Sequence, residues 1–547
     1  MVLLNRRIGL LFALFLFLLL AAGGRAAWLG TVKAGGLKER ALGQQVEDIE
    51  VSARRGTITD RNGTELAVSE DAVTVFANPP LVKDPAGAAE KLAPLLGRPR
   101  DDVLADLTDA DTGFVYLARK LGPVRGAKVE QLEIEGVSTV TEPKRTYPQG
   151  QMAAQLVGSV GTDNYGLSGV EQQYEDALGG DDGKRRLVKD AMGEPVSIIE
   201  TKRARAGKDM QLTIDAVLQE RAEAVMAELG ETHQPRAATV LVMDPRTGEL
   251  LALANWPRVD ANDVGSAPKS ALQNRAVTAS YEPGSTFKAF TVAGAMEEGL
   301  IGPGTSFDVP AEILVADRTI GEAHETGGAT LTTADILAQS SNVGSVMIGL
   351  KLGKVRFDKW VRNFGFGLPT GIGLPGEAGG IVPTPAEYSG SSLGNLPIGQ
   401  GLAVTPLQMV AAYSGLANGG VMHEPHVIAG EQDEGRRVVS EKTAHEVSKM
   451  LEGVLGAGGT AQEASVPGYQ LAGKTGTAEK PDPETGGYSD FKFFSSFIGY
   501  APAKDPRLMI GVMVDEPKGG YYGAEVAAPA FEKIVEFALP YMRIPPD

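Results

Sequence analysis

The chain has 547 residues, of which 43% are hydrophobic and 22% are charged, so it is long enough for about two to four domains with cores of their own. Its formal net charge of −17 argues against nucleic-acid binding, which requires a basic surface. It has no cysteine and five histidines, none in a helical metal-binding pair. This composition excludes disulfides, cysteine nucleophiles and cysteine-ligated metals, and we expect no metal site.

The N-terminus contains one long apolar run, at residues 8–24, which carries no charge. Its length is at the short end of the range that spans a bilayer, and Arg6 and Arg7 before it favour a cytoplasmic N-terminus. We therefore predict a cytoplasmic tail at 1–7, a transmembrane anchor at 8–24, and the rest of the chain beyond the membrane. The alternative is a cleaved signal peptide, because small residues are frequent at 21–27.

Residues 25–205 show turn signals and short helical patches, but no grouping of catalytic side chains. The strongest local signal is Asn62-Gly63 between two β-prone segments, which predicts a hairpin. We interpret 25–205 as a non-catalytic, loop-rich pedestal domain.

From about residue 206 the hydrophobic patterns become more regular. Strands are predicted at 211–215, 237–243, 249–254, 469–473, 494–500 and 508–514, and helices at 216–229, through most of 284–455, and at 527–541. Strands at both ends with helices between them imply a sheet built from distant segments, which is an α+β arrangement. We therefore predict one α+β domain over 206–547.

A serine followed by a lysine three residues later comes directly after the chain break Pro283-Gly284. Ser285 should lie at the start of a helix, where backbone N–H groups and the helix dipole favour a developing negative charge. Lys288 is about one turn further, so its amine can reach back to the hydroxyl. A lysine can take the serine proton if burial or a neighbouring cation keeps its amine partly neutral.

Two further motifs follow in the same region. Ser340-Ser341-Asn342 ends a predicted helix at 331–339, and Lys474-Thr475-Gly476-Thr477 follows a short strand. Taken alone, the first is typical of a helix cap and the second of a turn. All three motifs occur in this order along a domain that we place on the far side of the membrane. We therefore predict that they form a single site with Ser285 and Lys288.

The order Ser-x-x-Lys, Ser-x-Asn and Lys-Thr-Gly resembles the signature of penicillin-binding proteins and class A β-lactamases. The whole chain resembles a class B penicillin-binding protein, a membrane-anchored peptidoglycan transpeptidase, and is closest to the cell-division type. The resemblance also involves Arg55-Gly56, Asp60-Arg61-Asn62-Gly63, Tyr147-Pro148 and residues 166–171, 281–285, 399–401 and 521–523. The chain departs from the pattern in having Ser-Ser-Asn, not Ser-Asp-Asn, and in having no C-terminal accessory domain after about residue 542.

The resemblance implies an α+β fold in three parts. These are a membrane anchor helix, an elongated, mixed and β-rich pedestal of the dimerisation type, and a transpeptidase domain. The transpeptidase domain would have an antiparallel sheet with helices on both faces and a helical subdomain.

The resemblance also implies a role for each residue of the first two motifs. Ser285 would attack the carbonyl of the penultimate D-Ala of a stem pentapeptide, with Lys288 as general base. Ser340 would relay a proton toward the leaving amine. Asn342 would hydrogen-bond the substrate amide and Lys288.

The third motif is implied to hold the substrate. Thr475, Gly476 and Thr477 would bind the terminal carboxylate, and Lys474 would tune the electrostatics of Ser340. The backbone N–H groups of Ser285 and Thr477 would form the oxyanion hole. No metal or organic cofactor is implied.

The implied partners are peptidoglycan stem peptides ending in D-Ala-D-Ala, β-lactams that resemble them, a membrane glycan polymerase and other division proteins, but no nucleic acid. The implied location is the inner (plasma) membrane, crossed once, with the catalytic domain on the extracytoplasmic or periplasmic side.

Three alternatives remain at this point. A class A β-lactamase needs a glutamate for its deacylating water, and no suitable Glu-x-x-x-Asn segment lies between Asn342 and Lys474. A non-catalytic sensor that kept the pocket is disfavoured by the intact motifs. The third alternative is an elongation-type transpeptidase, and only the resemblance of the motifs favours the division type over it.

Overall fold

The computed structural model describes residues 2–33, 46–109, 112–189, 195–323, 328–482 and 486–547. The chain divides into two compact units. The smaller unit comprises Met1–Arg54, Asp71–Lys144 and Gly179–Gly207, and the larger comprises Arg55–Glu70, Arg145–Leu178 and Lys208–Asp547. The domain limits drawn from the sequence at 1–7, 8–24, 25–205 and 206–547 stay predictions, and both long ranges include residues outside those described.

The N-terminus is one helix, Val2–Thr31, of 30 residues. At 1.5 Å per residue it is about 45 Å long. Its apolar side chains are exposed, and among the described residues it is the one helix long and apolar enough to cross a membrane. It extends past the predicted 8–24 at both ends because the flanking alanine, leucine and arginine residues are good helix formers.

The smaller unit contains an antiparallel sheet and a helical layer. The sheet has three strands, Val46–Val51, Gly183–Lys189 and Pro195–Lys202. Helices Pro85–Leu96, Arg100–Thr108 and Pro123–Glu130 contribute to a separate core with strand Val115–Leu121, which pairs with the second half of strand Glu65–Ala77. Strand Val137–Thr146 pairs with Glu65–Ala77 as well.

The first segment of the larger unit forms the hairpin predicted at Asn62-Gly63. Ile58–Thr59 pairs antiparallel with the start of strand Glu65–Ala77, and Gly63 has a φ of 88°, which favours glycine. Asp60 Oδ1 accepts hydrogen bonds from the N–H groups of Asn62 and Thr64, at 2.8 and 2.7 Å. On its other side Ile58–Thr59 pairs parallel with Met210–Gln211.

A buried ion cluster joins distant segments within the larger unit. Glu171 is fully buried and lies 2.8 Å from Arg55 Nη2 and 2.6 Å from Arg145 Nε. Both arginine side chains are buried as well, and Arg55 also pairs with Glu175 at 2.8 Å. The cluster ties Arg55–Glu70 to Arg145–Leu178.

The central sheet of the larger unit has five antiparallel strands. Their order is Leu250–Trp256, Ala237–Met243, Leu508–Asp515, Tyr488–Ala501 and Ala472–Pro481. The last of these, hereafter the edge strand, ends the sheet. Strand Ala237–Met243, from the start of the predicted α+β domain, therefore pairs with strand Leu508–Asp515 from its end. This pairing of distant segments confirms the α+β prediction.

Helices cover both faces of this sheet. On one face Phe497 packs against Phe531 of helix Ala528–Tyr541, with ring centroids 4.7 Å apart. On the other face Gly511 lies directly against Val410 of helix Pro406–Ala417. Helix Ala216–His233 packs on strand Leu250–Trp256 and on helix Ala528–Tyr541.

A helical layer lies in sequence between strand Leu250–Trp256 and the edge strand. Its helices are Lys288–Glu297, Thr333–Ala338, Asn342–Leu352, Lys354–Asn363, Pro406–Ala417 and Glu441–Glu452. Aromatic side chains fill its core, where Phe290 contacts Phe364, Phe366 and Tyr413 at centroid distances of 4.8–5.1 Å.

Two expectations for this part were wrong in detail. The stretch 284–455 is not helical throughout, since hairpins form from Ser306–Val309 with Ala329–Thr332 and from Glu312–Val315 with Arg318–Gly321. The strand expected at 469–473 runs instead over Ala472–Pro481 and includes the Lys474 motif. The sequence of the motif is typical of a turn, because glycine and threonine are frequent in turns. In the structure, hydrogen-bonded pairing with strand Tyr488–Ala501 keeps the motif extended.

The remaining elements are short. Helical turns lie at Ala154–Val157, Gly169–Gln173, Glu175–Leu178, Arg275–Thr278, Ser392–Asn395 and Gly523–Val526, 3₁₀ turns at Pro79–Leu81, Val264–Ser266, Gly284–Phe287 and Leu396–Ile398, and a two-residue pairing joins Val421–Met422 with Arg436–Arg437.

Candidate active site

Ser285 lies in a 3₁₀ turn, Gly284–Phe287, that leads directly into helix Lys288–Glu297. The turn requires a glycine before the serine: Gly284 has a φ of 55°, and a Cβ there would lie 3.1 Å from the Cβ of Ala478. The N–H of Gly284 donates to the Gly399 carbonyl at 3.0 Å. The hydroxyl is therefore presented at the start of the helix, as the sequence predicts, although the first turn is 3₁₀ and not α.

Lys288 is fully buried, and its ammonium group is held by the second motif. Nζ donates to the Ser340 carbonyl at 2.6 Å, to Ser340 Oγ at 3.2 Å and to Asn342 Oδ1 at 2.7 Å. Burial lowers the pKa of Lys288 from 10.5 to about 7, and the negative charge of Glu322 opposes that shift. The neutral amine is therefore accessible near neutral pH.

The expected hydrogen bond between Lys288 and Ser285 does not occur among the described residues. An ammonium group has three donors, and Ser340 and Asn342 engage all three. Loss of a proton would leave a lone pair on Nζ, one turn along the chain from the Ser285 hydroxyl. Catalytic hydrogen bonds are commonly long before substrate binds.

Ser340 has an unusual backbone conformation. Its φ is 62°, the left-handed region that non-glycine residues rarely adopt, and such a residue costs about 1–3 kcal/mol unless its surroundings fix it. This conformation directs both its carbonyl and its hydroxyl at Lys288. Ser341 then caps helix Asn342–Leu352 by accepting from the Gly344 N–H at 2.9 Å.

Glu322 is a residue that the sequence did not single out. Its carboxylate accepts from Ser341 Oγ at 2.5 Å, from the Asn342 N–H at 2.7 Å and from the Val343 N–H at 3.3 Å. It therefore occupies the N-terminus of the Asn342 helix, where a negative charge is favourable. Glu322 follows strand Arg318–Gly321, and no spacing in the sequence relates it to the Ser340 motif.

Lys474 is the second fully buried amine of the site. Nζ contacts the carbonyl and Oγ1 of Thr475, at 3.2 and 3.4 Å. Burial, and secondarily the charge of Lys288, lower the pKa of Lys474 well below its usual value. Thr475 Oγ1 is also hydrogen-bonded to Thr460 Oγ1 at 2.7 Å.

The edge strand runs close beside the nucleophile turn. At Gly476 an added Cβ would come within 2.4 Å of Ser496 Oγ, 2.9 Å of Thr286 Cγ2 and 3.1 Å of the Pro283 carbonyl. Glycine at this position therefore lets the strand approach the turn. Thr477 Oγ1 accepts from the Gly523 N–H at 3.0 Å. On its outer side the edge strand pairs with no other described strand, so its backbone groups can accept an added peptide.

The structure thus brings the three motifs together. Lys288, Ser340 and Asn342 are in direct contact, Lys474 lies close enough for its pKa to respond to Lys288, and Gly476 borders the turn that carries Ser285. The roles of these residues, and of Thr475 and Thr477, stay predictions. A hydroxyl at a helix start, a partly neutral amine and an open strand edge suit acyl transfer through a serine ester.

Comparison with known proteins gives two matching family models. Residues 238–536 match the penicillin-binding protein transpeptidase domain, and residues 50–212 match the penicillin-binding protein dimerisation domain. The chain is 32% identical to a probable peptidoglycan D,D-transpeptidase, PbpC, of Pseudomonas aeruginosa, over 99% of this chain and 96% of that protein. It is also 32% identical to the peptidoglycan D,D-transpeptidase FtsI of Escherichia coli, over 96% and 90%.

A solved structure has the same fold. Penicillin-binding protein 3 from Mycobacterium tuberculosis, complexed with aztreonam, is similar with a TM-score of 0.72 and 30% identity, over 91% of this chain and 98% of that one.

Proposed function

Because this chain belongs to the class B penicillin-binding proteins and is a serine-type D-Ala-D-Ala transpeptidase, we propose that it cross-links peptidoglycan through an acyl-enzyme on Ser285. The observation that carries this assignment is the buried Lys288 amine, held one turn from Ser285 by Ser340 and Asn342. Its pKa of about 7 leaves a base available at neutral pH.

Acylation forms one bond and breaks one. Neutral Lys288 takes the Ser285 proton as Oγ attacks the carbonyl carbon of the penultimate D-Ala. The C–N bond to the terminal D-Ala then breaks, and the Ser340 hydroxyl, in contact with Lys288 Nζ, relays the proton to the leaving amine. The backbone N–H groups of Ser285 and Thr477 stabilise the oxyanion, and the motif of Thr475, Gly476 and Thr477 binds the terminal carboxylate.

Transfer reverses the same proton path. A side-chain amine from a neighbouring stem peptide attacks the ester carbon, the C–O bond to Ser285 breaks, and the serine recovers its proton. Asn342 hydrogen-bonds both Lys288 and the substrate amide, which fixes the amine and the acyl group together. β-Lactams enter the first half of this cycle and stop at the ester.

The assignment of the nucleophile is tested by intact-mass measurement after penicillin treatment, followed by peptide mapping. The wild type should gain one adduct on Ser285, and Ser285→Ala should gain none. Ser266→Ala is the matched control, because Ser266 also has a lysine three residues later, Lys269, but lies exposed in a separate 3₁₀ turn. An adduct that persists in Ser285→Ala would contradict the assignment, and sustained antibiotic hydrolysis would favour a β-lactamase.

We further propose that helix Val2–Thr31 crosses the inner membrane once, with the catalytic unit on the extracytoplasmic side. The support is its length and apolar surface, with Arg6 and Arg7 near its N-terminal end. Protease added outside spheroplasts should digest the catalytic unit, and protection would indicate the opposite orientation.

We propose a membrane glycan polymerase as partner, together with other division proteins, since neither of the two matched domains is a glycosyltransferase. The polymerase should co-purify with the full chain from solubilised membranes.

A division role is proposed because FtsI of Escherichia coli is among the relatives. Depletion should give unseptated filaments, whereas rounded cells would indicate the elongation type.

A further inference from the structure

A second cavity, of about 460 Å³, lies in the larger unit, and none of its lining residues belongs to the three motifs. Four arginines converge on it from separate segments of the chain. Arg61 lies in the turn of the Asn62-Gly63 hairpin, and Arg246 lies in the turn that joins the first two strands of the central sheet. Arg507 directly precedes another strand of that sheet, and Arg543 follows the last helix. We call this the arginine cavity.

The lining of the arginine cavity carries more positive than negative charge. Against the four arginines it has two carboxylates, Asp215 and Asp244. Asp244 binds Arg246 through two hydrogen bonds, from Nε at 3.2 Å and from Nη2 at 3.0 Å. Asp215 accepts instead from neutral donors, which include the N–H groups of Val217 and Leu218 at 3.0 and 3.2 Å and the Tyr541 hydroxyl at 3.1 Å. The other three guanidinium groups therefore have no ion-pair partner within the lining.

Two acids outside the lining offset these charges only in part. Glu249 pairs with Arg61 at 3.3 Å. Asp505 lies 3.9 Å from Arg507, which is beyond hydrogen-bonding distance, and its side chain is 76% exposed, so water screens its charge. The side chain of Arg543 forms no ion pair or hydrogen bond with the residues that the structure describes. Arg507 and Arg543 thus keep donors available for a ligand.

Arg507 supplies an independent indication of a ligand. Its Nε is buried and has no partner among the described residues, although the side chain as a whole is 38% exposed. A buried N–H group without an acceptor costs about 1–3 kcal/mol, and more when the group is charged. An acceptor in the cavity would satisfy this donor together with the exposed N–H groups of the same planar guanidinium.

Guanidinium groups that approach from several directions suit a phosphate group better than a carboxylate. A carboxylate offers two oxygens in one plane, whereas phosphate offers at least three in a tetrahedral arrangement. Four arginines less two carboxylates leave an excess of two positive charges, which a phosphate dianion matches. The lining also includes Leu218, Leu251 and Met542, so an apolar part of a larger ligand can lie beside the phosphate.

We propose that the arginine cavity binds a phosphate group, with Arg507 and Arg543 as its main ligands and Arg61 and Arg246 beside them. A bound phosphate would link the hairpin of Arg61 to the end of the last helix. The phosphate group of a lipid and that of a soluble ester have this chemistry in common. The inference is independent of the transpeptidase assignment, because no residue of the three motifs takes part.

The test is isothermal titration calorimetry of the full-length protein in dodecyl maltoside, at constant ionic strength. Inorganic phosphate and succinate are compared at about pH 8, where both are dianions. Phosphate should bind at one site, at least about tenfold more tightly than succinate, a difference of about 1.4 kcal/mol. Equal or tighter binding of succinate would overturn the phosphate assignment. Absence of saturable phosphate binding by the wild type would overturn the site itself, without any variant being needed.

A set of variants locates the binding. Arg507→Gln and Arg543→Gln should each weaken phosphate binding at least about tenfold, because each removes charge-assisted hydrogen bonds. Arg100→Gln, which removes an exposed arginine of the smaller unit, should keep the wild-type affinity. All three variants should react with penicillin at the wild-type rate, which checks that they fold. Unchanged phosphate affinity in both Arg507→Gln and Arg543→Gln would mean that phosphate binds elsewhere and would overturn the proposal.

Two further probes distinguish the sources of the phosphate group. Dihexanoyl phosphatidylglycerol carries a lipid headgroup in soluble form, and glycerol 3-phosphate is a phosphate ester without acyl chains. Tighter binding of the lipid would identify a headgroup site, and tighter binding of glycerol 3-phosphate would identify a site for a soluble ester. Either result supports the proposal when Arg507→Gln and Arg543→Gln weaken it, and contradicts it when they do not.

Discussion

Lys288 is the residue on which the pH behaviour of the site depends. It is faced by the Lys474 amine on the edge strand and by Glu322 after strand Arg318–Gly321, and its other close neighbours, Ser340 and Asn342, are neutral. Burial exceeds the effect of Glu322, so the pKa falls to about 7. The site therefore changes from protonated to neutral base within the physiological range.

We expect acylation by a fluorescent penicillin to rise with pH through about 7 and then to level off. Below that pH Lys288 is protonated and cannot take the Ser285 proton, and above it the amine is neutral. The second-order acylation rate should be measured between pH 5.5 and 9. A flat profile across this range would exclude Lys288 as the titrating base.

Glu322 should shift that profile. Its charge raises the pKa of Lys288, so Glu322→Gln should move the rising limb to lower pH. Glu322→Ala also removes the hydrogen bonds to Ser341 and Asn342, and should lower the plateau by about tenfold, or about 1.4 kcal/mol. Glu312→Gln, an exposed change in the preceding hairpin strand, is the control and should leave both limb and plateau unchanged.

At the scale of elements, the edge strand and the nucleophile turn depend on close approach. Gly476→Ala places a methyl group within 3 Å of Ser496 and Thr286, which pushes the strand away from the turn. We expect a loss of acylation of about tenfold or more, since a shift of about 1 Å is enough for about 100-fold. The same assay on Gly265→Ala, where the added methyl group meets nothing within 4 Å, should give the wild-type rate.

The three motifs could be recognised in the sequence because each holds its polar side chains at a fixed short spacing, and the structure brings the motifs together. Ser285 and Lys288 share one turn of chain, and the Lys474 motif follows an apolar strand. Glu322 was not predictable, because its contact with the Asn342 helix arises from the return of a hairpin and has no local signature. The left-handed φ of Ser340 was also beyond the sequence, since tertiary contacts fix it.

The hairpins within 306–332 were missed for a related reason. Their strands have only four residues each and are largely exposed, so alternation of apolar and polar residues is weak. Three strands of the five-stranded sheet, Ala237–Met243, Leu250–Trp256 and Leu508–Asp515, were easier to predict, because their residues are nearly all apolar and buried.

At the scale of the whole molecule, the larger unit is assembled from three separate stretches of chain. A single boundary near residue 205 assigns Arg55–Glu70 and Arg145–Leu178 to the pedestal. In the structure both stretches belong to the unit that contains the catalytic residues. The buried cluster of Arg55, Glu171 and Arg145 shows how charged side chains join two of these stretches inside one core.

We expect Glu171→Ala to destabilise the larger unit by about 3–5 kcal/mol, because it leaves two buried arginines without their carboxylate. Chemical denaturation followed by circular dichroism measures the change in unfolding free energy. Asp71→Asn removes the partner of Arg54 in an exposed ion pair and should change stability by at most about 1 kcal/mol. A similar small effect in Glu171→Ala would mean that solvent reaches the cluster.

The open side of the edge strand has a consequence for drug resistance. Main-chain groups that receive an incoming peptide are shared by every residue type except proline, which lacks the N–H, so most point mutations leave them in place. Escape from an antibiotic that mimics the natural chain must instead come from displacing the strand or narrowing its approach. Either change also slows wall synthesis, so resistant lineages should carry a growth defect that further mutations then relieve.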